Sequence, residues 1–202
     1  MQINNEKTKY LTYNIADTIE EFDKSNIKKV KNFCYLGANI NDSLTDVRSR
    51  IQKAWIIFWK LRKIWHDEKI SLDTKIKIHK ALCISVLLYN CETWILNNKI
   101  SNMLNTFGTK SYRFILNIKY SDKISNDKIY NKIKTIPISE IIANRQIKYI
   151  IKKAEDIGSL ISQYSLYTPN HGKRKRGRPK MTYIEYFTNL INIRNFVPEG
   201  IG

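Results

Sequence analysis

The sequence has few of the residues that build metal sites and disulfide frameworks. It contains 3 cysteines and 3 histidines among 202 residues. The histidines are scattered and no two cysteines are in Cys-x-x-Cys spacing, so no zinc-binding pattern is present. The cysteines are odd in number and far apart, which predicts buried thiols in a reducing compartment rather than disulfides. They are Cys34, Cys83 and Cys91.

The sequence also lacks the usual signatures of catalysis and of membrane spans. Its 7 glycines are isolated, so no phosphate-binding loop is present. No hydrolase triad is recognisable, and pairs such as Glu20–Glu21 or Glu155–Asp156 sit in polar surroundings rather than in an aspartate-rich metal cluster. No apolar run approaches the roughly 18–20 residues that cross a bilayer. We therefore expect neither metal-dependent catalysis nor membrane insertion.

Acidic residues are scarce compared with basic ones. The chain carries 35 Lys and Arg against 18 Asp and Glu, a net charge of +17. Residues 1–50 have a net charge of only +1, whereas 51–100, 101–150 and 151–202 carry +5, +6 and +5. Such a field favours a polyanion, because protein cations release the counterions condensed on it. Nucleic acid is therefore the predicted partner, and a basic protein without that function is the alternative.

The hydrophobic pattern predicts short β structure over 1–42 and helices after it. Lys9–Tyr13 and Val30–Gly37 are rich in β-branched and aromatic residues. From Ser43 the apolar residues recur every three or four positions, which predicts a helix of about six turns over 44–65. Its predicted core stripe consists of Leu44, Val47, Ile51, Ala54, Phe58, Leu61 and Trp65.

The other faces of this predicted helix are cationic. We expect them to contact phosphate and sugar, although a merely solvated face is the alternative. The outward cations are Arg48, Arg50, Lys53, Lys60, Arg62 and Lys63. Trp55 and Trp59 lie four residues apart off the main stripe. They either widen the core face or form a stacking surface for bases.

Further helices are predicted to the end of the chain. One runs from Leu72 to about Tyr89, with Ser71 as its N-terminal signal and an all-apolar second half that predicts burial on every side. Another covers 100–118 and is interrupted by Gly108. A short helix is predicted at 129–133, a long helix from Ile138 to about 161, and a last helix at 183–191.

Residues 173–180 hold the densest run of charge, six cations in eight positions. The run is Lys173, Arg174, Lys175, Arg176, Gly177, Arg178, Pro179 and Lys180. Its Arg-Gly-Arg-Pro core resembles an AT-hook, in which an extended segment lies in the narrow minor groove of A·T tracts. A nuclear localisation signal is a second interpretation of the same residues.

Several ordered segments resemble the reverse transcriptases of non-LTR (LINE-type) retrotransposons. Residues 33–37 match the family's "F-x-Y-L-G" hairpin, and 3–9 look like its "I-N-x-x-K-T-K" segment. Residues 87–94 resemble "L-L-Y-G-C-E-T-W", with Asn90 in place of glycine. Residues 172–183 resemble "G-x-R-x-R-G-R-P-x-x-x-W", with Tyr183 in place of tryptophan.

The resemblance implies a mainly α fold with four parts. They are a palm remnant with a primer-grip-like hairpin (1–42), a helical thumb-like domain (43–118), a helical connector (119–164) and a basic linker with a terminal helix (165–202). The implied primer-grip residues are Phe33, Tyr35, Leu36 and Gly37. The implied nucleic-acid contacts are Lys7, Lys9, Arg48, Arg50, Lys53, Arg62 and the residues of the 173–180 run.

The family's catalytic aspartates, which hold two magnesium ions, have no counterpart in this sequence. The chain alone is therefore expected to be inactive and to need no cofactor, with Mg²⁺ required only in a complete polymerase. The first hypothesis is a reverse-transcriptase fragment that retains template–primer binding, with an RNA–DNA hybrid or DNA and a separate palm-and-fingers chain as partners, in the nucleus. The alternatives are a stand-alone DNA-binding protein acting through the Arg-Gly-Arg-Pro segment, and a non-functional relic.

Overall fold

The protein is mainly α-helical, with short β elements near its N-terminus, as the sequence predicts. The computed structural model describes residues 8–10, 27–30, 33–39, 42–155 and 183–193. The chain divides into two compact units, Met1–Ser49 and Arg50–Gly202. We describe each unit by itself.

The first unit contains two small β pairs. β1 (Lys9–Tyr10) pairs in parallel with β2 (Lys28–Lys29), and β3 (Cys34–Tyr35) pairs antiparallel with β4 (Ala38–Asn39). The two residues of the β3–β4 turn have positive φ angles, 47° at Leu36 and 82° at Gly37. Positive φ at both central residues is the pattern of a type I′ hairpin turn. Glycine adopts it freely, whereas leucine pays a conformational cost.

The predicted helix over 44–65 forms as two helices, α1 (Ser43–Lys60) and α2 (Arg62–His66). Asp42 caps the N-terminus of α1, because its carboxylate accepts hydrogen bonds from the amides of Leu44 and Thr45, each at 3.0 Å. The break at Leu61 has a local cause. The indole Nε1 of Trp65 donates to the carbonyl of Phe58 at 2.8 Å and so occupies an acceptor in the last turn of α1.

The next helical stretch changes its winding halfway along. α3 (Leu72–Ile78) begins at the predicted cap Ser71, whose hydroxyl accepts from the amide of Thr74 at 3.3 Å. It continues as a π-helical segment, His79–Ile84, and as the single turn α4 (Ser85–Leu87).

The prediction that the second half of this stretch is buried on every side is wrong. Cys83 and Leu87 are buried, but Leu82 remains 45% exposed. Ala81, Ser85 and Tyr89 are also exposed. Ala81 and Ser85 are four residues apart and so lie on the same side of the stretch, whereas Tyr89 follows the end of α4.

Gly108 does not interrupt α5 (Asn98–Ile115), contrary to the sequence-based expectation. A Cβ at this position would lie 2.8 Å from Cδ1 and 3.2 Å from Cγ1 of Ile138. The glycine therefore allows a close approach to the start of α7. The side chain of Asn105 also joins α5 to α7. Its Nδ2 donates to Ser139 Oγ at 2.9 Å, and its Oδ1 accepts from the backbone amide of Ser139 at 3.0 Å.

The remaining helices are α6 (Asn126–Ile133), α7 (Ile138–Glu155) and α8 (Tyr183–Ile193). All three agree with the predicted positions, although residues 156–161 of the long predicted helix lie outside the described residues. The side chain of Gln146 links α7 and α8. Its Nε2 donates to the carbonyls of Cys91 (2.8 Å) and Trp94 (2.7 Å), and its Oε1 accepts from the Tyr186 hydroxyl at 2.9 Å.

Candidate nucleic-acid interface

Part of the apolar stripe predicted for α1 and α2 is buried, and most of their cations are exposed. Ala54, Phe58 and Trp65 are at most 2% exposed. Lys53, Lys60, Arg62 and Lys63 are exposed. No acidic residue occurs between Arg50 and His66, so these cations have no acidic neighbour along this stretch of the chain. We call these four exposed side chains the basic face.

Arg50 does not belong to the basic face, and its predicted outward position is wrong. It is only 6% exposed, and its guanidinium carbon lies 4.3 Å from the centroid of the Tyr89 ring. The flat guanidinium group can stack on an aromatic face and remain charged there. The sequence places Arg50 on the helix but does not reveal that a ring from the segment after α4 covers it.

The first unit exposes the tip of its hairpin. Tyr35 is 58% and Leu36 74% exposed, Gly37 is exposed and Phe33 is half-buried. Cys34 is also exposed, so the prediction that all three cysteines are buried is wrong for it. The hairpin predicted at 33–37 is present, and its role as a primer grip stays a prediction.

The other predicted contacts in this part of the chain are partly described. Lys9 and Arg48 are exposed. Lys7 lies outside the described residues, as does the whole 173–180 run. The contacts predicted for them stay predictions.

A second surface of the helical unit is an open groove lined by aromatic rings. Its volume is about 360 Å³, and we call it the aromatic groove. The groove is lined by Trp55, Phe58, Trp59, Lys110 and Phe114. The rings of Trp55 and Trp59 stack with centroids 5.9 Å apart and planes at 19°. The sequence singled out the two tryptophans but missed Lys110 and Phe114, because only the packing of α5 against α1 brings these residues beside them.

Behind the groove lies a buried aromatic cluster that encloses His79. The imidazole is 0% exposed and contacts the rings of Phe58, Trp65, Phe107 and Tyr112 at centroid distances of 5.0–6.4 Å. Neither ring nitrogen has a hydrogen-bond partner among the described residues. Burial, followed by the charge of Lys80, lowers the pKa of His79 to about 4. The histidine is therefore neutral at pH 7.

A third feature is a cavity of about 430 Å³ with three cations among its lining residues. Lys80, Lys134 and Arg145 contribute the charge, while Ile84 and Leu88 contribute apolar surface. The described lining includes no acidic side chain. The charge of the described lining is therefore positive, and neither the position of Lys134 nor that of Arg145 beside Lys80 was apparent from the sequence.

Within the described residues, no three His, Cys, Asp or Glu side chains are grouped so that they could hold a metal ion. None of the described helices combines the length and apolarity needed to cross a bilayer. Comparisons with known protein families, curated proteins and solved structures found no match to this chain.

Proposed function

We propose that this chain is a nucleic-acid-binding module that holds a template–primer duplex in the manner of a reverse-transcriptase thumb. The observation that carries the proposal is the basic face on α1 and α2. Its four cations are exposed on two successive helices, which Ala54, Phe58 and Trp65 anchor in the core. A rigid cationic surface of this kind suits the phosphates of a duplex, which it recognises by shape and charge rather than by sequence.

The ordered motifs of the sequence support the choice of polymerase family. Residues 33–37, which resemble the family's primer-grip motif in sequence, form the β3–β4 hairpin and its turn. Asn90, which replaces the family's glycine, has φ 63° and ψ 21°, a left-handed conformation that glycine adopts without strain. The substitution is therefore compatible with the same turn. The proposal assigns binding to this chain, and leaves the chemistry to a chain that carries the catalytic aspartates.

The test of the basic face is a charge-matched pair of triple variants. Lys53→Gln/Arg62→Gln/Lys63→Gln removes three of its cations, and Lys77→Gln/Lys99→Gln/Lys132→Gln removes three exposed lysines from other helices. Affinity for an RNA–DNA hybrid is measured by anisotropy over a range of salt concentrations. We expect the first variant to bind on the order of tenfold more weakly and to lose about 3 from the salt-dependence slope. Equal losses in both variants would show that only net charge matters and would contradict the proposal.

The second candidate function is A·T-tract binding through the Arg-Gly-Arg-Pro segment of the sequence. The intact chain and Arg178→Ala are compared on the hybrid and on an A·T-rich DNA duplex. The thumb-like proposal predicts preference for the hybrid and survival of hybrid binding in Arg178→Ala. If the hybrid is not preferred and the variant loses all binding, the proposal fails and the A·T-tract function stands. We expect no primer extension by the purified chain with magnesium and nucleotides.

A further inference from the structure

We infer that the aromatic groove is a binding site for unpaired nucleobases, so that the helical unit also holds single-stranded nucleic acid. This inference rests on the proposed function, because it concerns the same class of ligand. It adds a second site, lined by Trp55, Trp59, Phe114 and Lys110, that acts by stacking rather than by contact with duplex phosphates.

The groove presents an aromatic surface that is already ordered. Trp59 is 49% exposed, and its indole stacks on the half-buried ring of Trp55. Trp55 is held in turn by an edge-on contact with Phe107 at 4.7 Å. The ring of Phe114 meets Trp59 edge-on, with centroids 5.1 Å apart and planes at 83°, which also holds the indole in place. Stacking of a ligand ring here costs little conformational entropy, because the aromatic side chains are already held in place, and this favours binding.

The charges around the groove decide what kind of ring it accepts. α5, which provides Lys110, has no acidic residue over its whole length. The stretch from Arg50 to His66, which provides both tryptophans, is equally free of acidic residues. A cationic ligand such as a quaternary ammonium group would be repelled despite the aromatic lining. The arrangement suits a flat ring joined to a phosphate, which is the structure of a nucleotide.

Stacking in the groove requires that the face of the base be accessible. In a duplex both faces of an internal base are covered by its neighbours, whereas an unpaired base can turn a face toward Trp59. The groove and the basic face therefore address different forms of nucleic acid. A single-stranded template beyond a duplex presents both forms at once.

The test compares single-stranded and hybrid binding in two variants of α1. Trp59→Ala removes the exposed ring, and Ile56→Ala shortens a side chain that is 57% exposed on the same helix and does not line the groove. Affinities for a short oligothymidylate and for a blunt RNA–DNA hybrid are measured by anisotropy. We expect Trp59→Ala to weaken oligothymidylate binding about 5- to 150-fold, the range for loss of one stacked base, and to leave hybrid binding within about twofold. Ile56→Ala should change neither affinity.

Two further measurements keep the inference testable if Trp59→Ala folds poorly. Trp65 and Trp94 are each only 2% exposed, so quenching of tryptophan fluorescence by oligothymidylate reports on the groove. A 5-iodouracil oligonucleotide should crosslink to Trp59 or Phe114. Lys110→Gln should also weaken single-strand binding, whereas Lys99→Gln, an exposed lysine on the same helix outside the groove, should not.

The possible failures can be told apart. If the wild-type chain binds no nucleic acid, the proposed function and this inference both fail. If it binds the hybrid but Trp59→Ala and Lys110→Gln bind oligothymidylate as well as wild type, only the groove inference is overturned. Equal weakening of hybrid and single-strand binding by Trp59→Ala also overturns it. Self-association that Trp59→Ala abolishes would assign the groove to a second copy of this chain instead.

Discussion

Gln146 and His79 are both fully buried polar side chains of the helical unit, and the structure treats them in opposite ways. The amide of Gln146 makes three hydrogen bonds that link α7, the Cys91–Trp94 segment and α8. The imidazole of His79 makes none among the described residues and is surrounded by aromatic rings. Polarity in the core therefore does not predict the role of a residue, whereas hydrogen-bond satisfaction does.

The contrast between the two residues has consequences for the stability of the fold. A buried polar group with its hydrogen bonds made stabilises and specifies the packing around it, whereas one without them carries a desolvation penalty. Gln146 should thus be hard to replace by an apolar residue. His79 should be easy to replace, because an apolar ring in its position loses no hydrogen bond.

The largest expected effect is that of Gln146→Leu, which removes all three hydrogen bonds of the amide. The free energy of unfolding should fall by about 4 kcal/mol, since three buried groups each lose a partner at about 1–3 kcal/mol. Chemical denaturation measures the change. Gln52→Leu, the same substitution at an exposed position of α1, should change stability by less than about 0.5 kcal/mol. A Gln146→Leu variant as stable as wild type would remove the distinction between the two residues.

The next effect is a dependence of stability on pH that belongs to His79. Its pKa is about 4 in the folded chain against 6.5 for the free side chain, so the unfolded state binds more protons between these values. The contribution of neutral His79 to the free energy of unfolding is therefore fully present above pH 6.5. As the pH falls to 4, the free energy of unfolding decreases by up to about 3 kcal/mol. Tyr112, which faces the imidazole, has its pKa raised by burial to about 12 and stays neutral in this window.

His79→Phe checks this prediction, because phenylalanine fills a similar volume and does not titrate. Its stability at pH 8 should lie within about 1.5 kcal/mol of wild type. Between pH 6.5 and 4, its free energy of unfolding should decrease by about 3 kcal/mol less than that of wild type. The exposed His66 provides the control, and His66→Gln should keep the wild-type pH dependence. Parallel pH curves for wild type and His79→Phe would contradict the assignment.

The sequence predicts which side chains are buried better than it predicts which hydrogen bonds they form. Periodicity correctly indicates that Ala54, Phe58 and Trp65 are buried, because helical spacing alone puts them on one face. It also places the helix that carries Gln146. It cannot show that Gln146 meets Tyr186, forty positions away, because that contact depends on how α8 packs against α7.

The candidate site has the same limit. Lys53 and Arg62 could be predicted as exposed cations from α1 and α2 alone. The burial of Arg50 against Tyr89, and the position of Lys110 beside the tryptophans, arise from contacts between helices. Gly108 is misread for the same reason, since its small size serves the approach of Ile138 rather than a break in α5.

A smaller effect should follow from Tyr186→Phe, which tests the Gln146 side of the comparison at α8. The variant loses the hydroxyl that donates to Gln146 at 2.9 Å and accepts from the Leu96 amide at 3.3 Å. Stability should fall by about 1–2 kcal/mol, and hydrogen exchange should show reduced protection in 183–193. Tyr120→Phe, at a fully exposed position, should be neutral. Unchanged exchange in α8 would show that the hydroxyl does not contribute to its docking.

The smallest predicted effect concerns Asn90, whose turn positions the carbonyl of Cys91 for Gln146. Asn90 is left-handed, and its side-chain nitrogen donates to Thr93 Oγ1 at 3.0 Å. Asn90→Ala should cost about 1 kcal/mol, because a Cβ without a compensating polar group disfavours this conformation. Asn90→Gly should stay within a few tenths of wild type, because glycine adopts it freely.

Denaturant unfolding of both variants measures the difference, with Asn102→Ala as the control. Asn102 is exposed within α5, where alanine is a better helix former than asparagine, so this variant should be at least as stable as wild type. If Asn90→Ala and Asn90→Gly are equally stable, backbone conformation does not limit the turn. The Cys91 carbonyl would then reach Gln146 without a conformational requirement at position 90.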